Sequence, residues 1–218
     1  MRKILKKGFT LAEVLITLAI LGVVAAVTLP NMVQDAKYQQ MGVKLAKFNS
    51  TLENAATAYV ISSGKEFSTT NNVNSSQDAI DFVIHGSFMF KEEHGSYMTV
   101  KNSNTTPQDI GENYGVFKDG SKVVFYTFID GMGGTASNIS SSQENVTGPA
   151  SGIAVFYDPD VKGIPAGGQH VFYFMLTTKG FVYPEQSDTC LQAIINNDWK
   201  VSPSFYKSNG ACMKSSWS

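Results

Sequence analysis

The pattern of apolar and polar positions divides the chain near residue 30. From Phe9 to Leu29 the sequence reads FTLAEVLITLAILGVVAAVTL, and Glu13 is the one charged residue in this run. At about 1.5 Å of rise per residue, the run would form a helix about 31 Å long, close to the hydrocarbon thickness of a bilayer. The pattern therefore predicts a membrane-length helix that carries a carboxylate near its start.

The carboxylate of Glu13 needs a reason, because an ionisable group in a membrane segment costs about 2.5–3.5 kcal/mol at the bilayer centre and less near an end. A secretory signal peptide has about 7–15 apolar residues before a small-residue cleavage site. This run is longer, and Ala25 and Ala26 offer only a poor site before Pro30. A plain membrane anchor explains the length of the run but gives Glu13 no role.

Beyond Pro30 the apolar residues recur at alternating intervals of four and three. They are Met41, Leu45, Phe48, Leu52, Ala55 and Tyr59. This spacing places them on one face of a helix, and it ends at Ser62-Ser63-Gly64. We predict one helix from about Phe9 to Ile61, whose second half packs its apolar stripe on a sheet.

The rest of the chain indicates a β-rich domain. Residues 64–113 are polar, with a short helix predicted at about Gln77–Ile84 and another element near Phe88–Phe90. Strands are predicted near Tyr114–Lys118, Lys122–Ile129, Gly152–Asp158 and within His170–Pro184. Asp119-Gly120 is a hairpin signal between the first two strands, and the last segment turns at Lys179-Gly180. Residues 131–151 read as a loop, and 190–218 as a closing segment with little periodicity. The predicted fold class is α+β, a long helix on an antiparallel sheet.

Residues 8–13, Gly-Phe-Thr-Leu-Ala-Glu, resemble the cleavage and methylation signal of type IV pilins and type II secretion pseudopilins. The resemblance implies that a prepilin peptidase cuts after Gly8 and that Phe9 becomes the N-methylated terminus. It implies that Glu13 serves filament assembly. Gly22 and Pro30 match positions where pilin helices loosen, and both residues weaken helices in any protein.

Cleavage after Gly8 would create an α-amino group at the start of the membrane helix. In a filament of staggered helices, the buried carboxylate of one subunit can pair with the terminal ammonium of its neighbour. An unpaired buried charge costs far more than a paired one, so this pairing would enforce register. The expected organisation is a leader (1–8), a transmembrane and assembly helix (9–29), an amphipathic continuation (30–63) and a globular pilin-like domain (64–218).

Charge is distributed unevenly along the chain. Of 17 basic residues, four lie in residues 1–8, which leaves 13 against 18 acidic residues and a net charge of −5 in the processed chain. The positive leader favours a cytoplasmic amino terminus in the inner membrane, with the carboxyl domain extracytoplasmic. The acidic remainder gives no electrostatic footprint for duplex DNA, so nucleic acid is not an expected partner.

The chain has two cysteines, Cys190 and Cys212. In an extracytoplasmic domain a disulfide between them is the default, and the resemblance implies the same carboxyl-terminal closure. Two free buried thiols are the alternative that the residues alone leave open.

The segment Asp158-Pro-Asp-Val-Lys-Gly163 imitates the start of a calcium loop, which needs oxygen ligands at alternating positions. Lys162 replaces the third ligand, and Gln169 stands where a closing glutamate belongs. We expect a structural turn and no cofactor, with Asp158 and Asp160 as the candidate ligands if calcium binds. The sequence also lacks the spacings of a zinc, phosphate-loop or nucleophile motif, so we expect no enzyme activity.

The expected function is that of a pilin-like filament subunit: a type IV pilin, a minor pilin or a type II secretion pseudopilin. Its implied partners are other pilin subunits, the prepilin peptidase, the membrane, and the inner-membrane assembly platform with its ATPase. Two alternatives remain: a competence pseudopilin for DNA uptake, and a membrane-anchored binding module that never polymerises. Glu13 argues against the second alternative, because a simple anchor does not need it.

Overall fold

The computed structural model describes residues 8–64, 88, 90–94, 98–101, 114–128, 140–141, 144–145, 152–161, 168, 170–177, 182–184 and 189–213. The helix predicted at Gln77–Ile84 and the turn predicted at Lys179-Gly180 lie outside the described residues. The same holds for residues 1–7 of the leader and for most of the predicted loop over residues 131–151.

A single helix, α1, runs from Leu11 to Ser63 over 53 residues. It ends at Gly64, whose left-handed backbone (φ 62°) lets its N–H donate to the carbonyl of Val60 at 3.0 Å. The prediction of one continuous helix is therefore confirmed. Its two halves differ in burial: residues 11–36 are exposed apart from the half-buried Ala25, whereas the apolar stripe predicted after Pro30 is buried in the core.

The described strands form a seven-stranded sheet and a separate two-stranded ribbon. The sheet contains β1 (Phe90–His94), β2 (Met98–Lys101), β3 (Tyr114–Phe117), β4 (Lys122–Phe128), β7 (Gly152–Asp158), β8 (Phe172–Thr177) and β9 (Val182–Pro184). The ribbon pairs β5 (Ser140–Ser141) with β6 (Glu144–Asn145). The main sheet runs in the order β1-β3-β4-β7-β8-β9 with antiparallel neighbours, which confirms the α+β class.

Strand β2 departs from the predicted antiparallel meander. Strand β3 pairs with the first residues of β4 (Val116 opposite Lys122), and β2 pairs with the last residues of β4 (Met98 opposite Phe125). The β2–β4 pairing is parallel. Strand β2 was not predicted from the sequence, because four residues, Met-Thr-Val-Lys, in a polar stretch carry too little periodicity to be recognised.

The core lies between the second half of α1 and one face of the sheet. Phe48 is its centre: the ring stacks on Tyr157 with centroids 4.0 Å apart and meets Phe174 edge-on at 5.3 Å. The sheet is buried on its other face as well, where Phe156 stacks on Tyr173 at 4.5 Å. Burial on both faces explains why β7 and β8 read as unbroken apolar runs rather than as alternating patterns.

The carboxyl-terminal segment differs from its prediction, since it contains three short helices. They are α2 (Thr189–Asn196), α3 (Pro203–Ser208) and α4 (Gly210–Met213). Helices of eight, six and four residues are too short to show a helical period. A start signal was nevertheless present for α3: Ser202 caps it by accepting a hydrogen bond from the N–H of Phe205 at 3.1 Å, and proline follows the cap.

This segment docks on α1 by a close backbone approach at Gly42. A Cβ built on Gly42 would overlap the carbonyl oxygen of Trp199 and lie 3.2 Å from a methyl of Val201. Asp198 and Trp199 both have positive φ, 56° and 59°, and the N–H of Lys200 donates to Asn197 at 3.1 Å to close the turn. Glycine on the helix therefore makes room for this turn.

Candidate functional site

The first candidate site is the start of α1, where Thr10 and Glu13 form a reciprocal capping box. The backbone N–H of Thr10 donates to Glu13 Oε2 at 2.8 Å, and the Thr10 hydroxyl donates to the same oxygen at 2.9 Å. In return, the N–H of Glu13 donates to Thr10 Oγ1 at 3.3 Å. The helix start thus holds the carboxylate in a fixed place beside residues 8 and 9.

Only one oxygen of this carboxylate is used. Within the described part of the chain, Glu13 Oε1 accepts no hydrogen bond, and the side chain is exposed. A carboxylate oxygen can accept about two hydrogen bonds, so Glu13 retains the capacity to bind a further cationic donor while it caps its own helix. Local capping and pairing with another molecule are therefore compatible.

The second feature is the apolar surface that begins at the same end. Phe9 is 90% exposed, and the large apolar side chains from Leu11 to Val33 are exposed. α1 is long and apolar enough to cross a membrane, judged by length and composition. A continuous apolar surface of this size is far larger than the patches of monomeric soluble proteins, so it requires lipid or other helices around it.

The two positions predicted to weaken the helix lie in this exposed half. α1 continues through both Gly22 and Pro30 without a break. A Cβ at Gly22 would meet no atom within 4 Å, so packing within the subunit does not require glycine there. Weakening of the helix at these positions stays a prediction.

The predicted cysteine pair lies far from the helix start in the chain. The structure joins Cys190 in α2 to Cys212 in α4 by a disulfide, with their Cα atoms 4.6 Å apart and both residues buried. The ring of Tyr206, between these helices in sequence, lies 5.4 Å from that of Tyr38 on α1. The bond thus closes the segment that docks on the helix.

The calcium candidates lie where β7 ends: Asp158 is the last residue of the strand, and Asp160 is in the loop that follows. Asp158 Oδ1 accepts the N–H of Asp160 at 2.8 Å, and Asp160 has a positive φ of 48°. Burial raises the pKa of Asp158. No group of three possible ligands is present among the described residues, and Lys162 lies outside them. Calcium binding here stays an untested expectation.

Lys44, which is not part of the apolar stripe of α1, connects this loop to the β3–β4 hairpin. Lys44 Nζ donates to the carbonyl of Pro159 at 2.7 Å and to that of Asp119 at 3.1 Å, and it lies 3.7 Å from the Asp119 carboxylate. Its side chain is only 10% exposed. The sequence shows only that Lys44 precedes Leu45 of the apolar stripe. Its partners are backbone carbonyls, which no sequence pattern can identify.

Comparison with known proteins identifies a motif at the amino terminus. The family model of the prokaryotic N-terminal methylation motif matches residues 5–29. No curated protein and no solved structure matches the chain. The matched residues contain Gly8, Phe9 and the Thr10–Glu13 capping box, together with most of the exposed half of α1. This chain therefore carries at its amino terminus the prepilin-type signal of type IV pilins and pseudopilins, joined to an α+β domain of pilin-like arrangement.

Proposed function

We propose that this protein is a filament subunit that is cut after Gly8, N-methylated at Phe9 and polymerised through its exposed helix. The observation that carries the proposal is the coincidence of the methylation motif with the apolar surface of α1. The methylation motif and the exposed apolar half of α1 lie at the same end of the molecule. Cleavage and methylation there would modify the terminus of the helix that must enter lipid or pack against other helices.

The proposed route begins in the inner membrane. Residues 9–29 span the bilayer, residues 30–63 continue the helix into the globular domain, and residues 64–218 remain on the extracytoplasmic side. The inner-membrane platform and its ATPase then extract the processed subunit into a pilus or pseudopilus that presents a surface or drives secretion. The subunit itself performs a structural role and no catalysis.

In the assembled filament, Glu13 pairs with the α-ammonium of a neighbouring subunit's Phe9. The unused Oε1 of Glu13 supports this pairing, because it leaves an acceptor for an incoming ammonium without breaking the capping box. Within a filament core the ammonium would otherwise be buried without a counterion, which costs several kcal/mol.

The test compares Glu13→Ala and Glu13→Gln with Glu53→Ala, an exposed acid on the second half of α1. Membrane insertion and Gly8 cleavage should be intact in all three. The amount of subunit in sheared filaments, relative to the membrane, should be lost in Glu13→Ala, reduced in Glu13→Gln and unchanged in Glu53→Ala. Normal incorporation of Glu13→Ala in the protein's own filament system would contradict the assembly role.

A further inference from the structure

We propose that a cleft between α1 and the β3–β4 hairpin binds a carboxylate carried on an apolar body of about one residue. The cleft has a volume of about 270 Å³. Its described lining combines lysines from α1 and the hairpin with a group of aromatic rings. This inference does not depend on filament assembly.

The inner wall of the cleft is aromatic and is held in place by ring contacts. Phe88 lies 5.8 Å from Phe48 and 5.5 Å from Phe117, centroid to centroid. Tyr157 stacks on Phe48 with ring centroids 4.0 Å apart. Phe48, Phe88 and Tyr157 are buried, so only the edges of these rings reach the cleft, beside the half-buried Phe117. Because core packing fixes them, these edges form a preformed apolar floor, which lowers the entropy lost when an apolar group binds.

The charges around the cleft are unbalanced. The described lining contains three lysines and one acid, Asp119. The Asp119 carboxylate already has partners: Oδ1 accepts hydrogen bonds from the N–H of Ser121 at 3.1 Å and from the Ser121 hydroxyl at 2.5 Å, and Oδ2 lies 3.7 Å from Lys44 Nζ. Within the described residues, the ammonium groups of Lys47 and Lys118 make no hydrogen bond or ion pair. The described lining of the cleft therefore carries a charge of about +2 on a processed chain of net −5, which favours an anion.

Size and donor type narrow the class of anion. Small-molecule sites usually have volumes of about 300–1,000 Å³, so this cleft holds a single small group. The described lining contains no arginine, the residue that binds phosphate oxygens in pairs, and a bare anion would leave the aromatic wall unused. A small apolar or aromatic carboxylate uses both the lysines and the rings.

Calorimetry on the full chain in neutral detergent tests this with N-acetylphenylalanine, its amide and acetate. We expect the carboxylate to bind with a Kd of about 1 mM or tighter, and the amide and acetate to bind at least about tenfold more weakly. Lys47→Gln and Lys118→Gln should each weaken binding several-fold. Lys207→Gln, an exposed lysine in α3, is the matched control and should have no effect. The proposal would be overturned if the acid did not bind, if acid and amide bound equally, or if neither cleft variant weakened binding.

The same chemistry can come from a free small acid or from the carboxyl terminus of another protein. A short peptide ending in phenylalanine with a free carboxylate, compared with its carboxamide twin, distinguishes the sources. Binding about tenfold tighter than N-acetylphenylalanine indicates a protein terminus, and equal binding indicates a small acid. A carboxamide peptide that binds as tightly as the free acid would overturn the proposal.

Discussion

Glu13 Oε2 accepts hydrogen bonds from both the backbone N–H and the hydroxyl of Thr10, so the acid expected to join subunits also caps its own helix. The proposed pairing would use the other oxygen, Oε1, of the same carboxylate. Capping therefore positions Glu13 before any neighbour arrives, which reduces the side-chain entropy lost on pairing.

Removing the Thr10 hydroxyl should loosen the start of α1. Thr10→Val keeps the shape of the side chain but loses the cap, which is worth about 1 kcal/mol, whereas Thr10→Ser keeps it. Backbone amides of the first helical turn should exchange with deuterium about fivefold faster in Thr10→Val and at the normal rate in Thr10→Ser. Equal exchange in both variants would show that the capping box does not stabilise the helix start.

Gly42→Ala should destabilise the globular domain, although alanine is the better helix former by about 1 kcal/mol. The added Cβ would overlap the carbonyl oxygen of Trp199, and such overpacking costs about 1–3 kcal/mol. Gly210→Ala is the control, because a Cβ there meets no atom within 4 Å. Thermal unfolding decides the point: a Tm for Gly42→Ala at or above that of Gly210→Ala would refute the close docking of the carboxyl-terminal segment on α1.

Loss of the Cys190–Cys212 bond should destabilise the domain. The cysteines are 22 positions apart, and the loop-entropy relation gives about 3 kcal/mol for a loop of this length. The double variant Cys190→Ala/Cys212→Ala should therefore unfold at a lower urea concentration, without change in the membrane helix. Peptide mapping of protein from the envelope, without reductant, checks the bond itself; two alkylatable thiols would disprove it.

Two acids at the end of the sheet near Lys44 should have opposite effects on pH-dependent stability. Burial alone would raise the pKa of Asp119, but hydrogen bonds from Ser121 and the charges of Lys44 and Lys47 outweigh burial and lower it. Its stabilising effect is present above its unfolded pKa of about 3.9 and is lost as pH falls through the folded pKa. Burial raises the pKa of Asp158, so its contribution is lost as pH rises through the folded pKa.

We therefore expect Asp119→Asn to reduce the free energy of unfolding at pH 7 and Asp158→Asn to increase it. Asparagine at position 158 keeps an oxygen for the N–H of Asp160. Each difference from the wild type should shrink toward zero as pH falls below both the folded and the unfolded pKa of that acid, where it is protonated in both states. Urea unfolding at several pH values measures this, and a loss of stability in Asp158→Asn at pH 7 would contradict the assignment.

The sequence was sufficient to predict the features that depend on local pattern. The length of α1, the stripe centred on Phe48, the hairpin at Asp119-Gly120 and strand β7 all follow from periodicity and turn chemistry. Strand β2 could not be predicted, since its four residues depend on a parallel partner elsewhere in the chain. The cleft was also missed, because a helical pattern contains no information on the hairpin that lies beside Lys44 and Lys47.

Mass spectrometry of the protein extracted from its native membrane tests most directly whether this chain is processed as a prepilin. We expect an amino terminus at N-methylated Phe9, with the eight residues through Gly8 removed. A Gly8→Ala variant with impaired processing would tie the cut to this position. An intact Met1 terminus, or a cut near Ala26, would contradict processing as a prepilin.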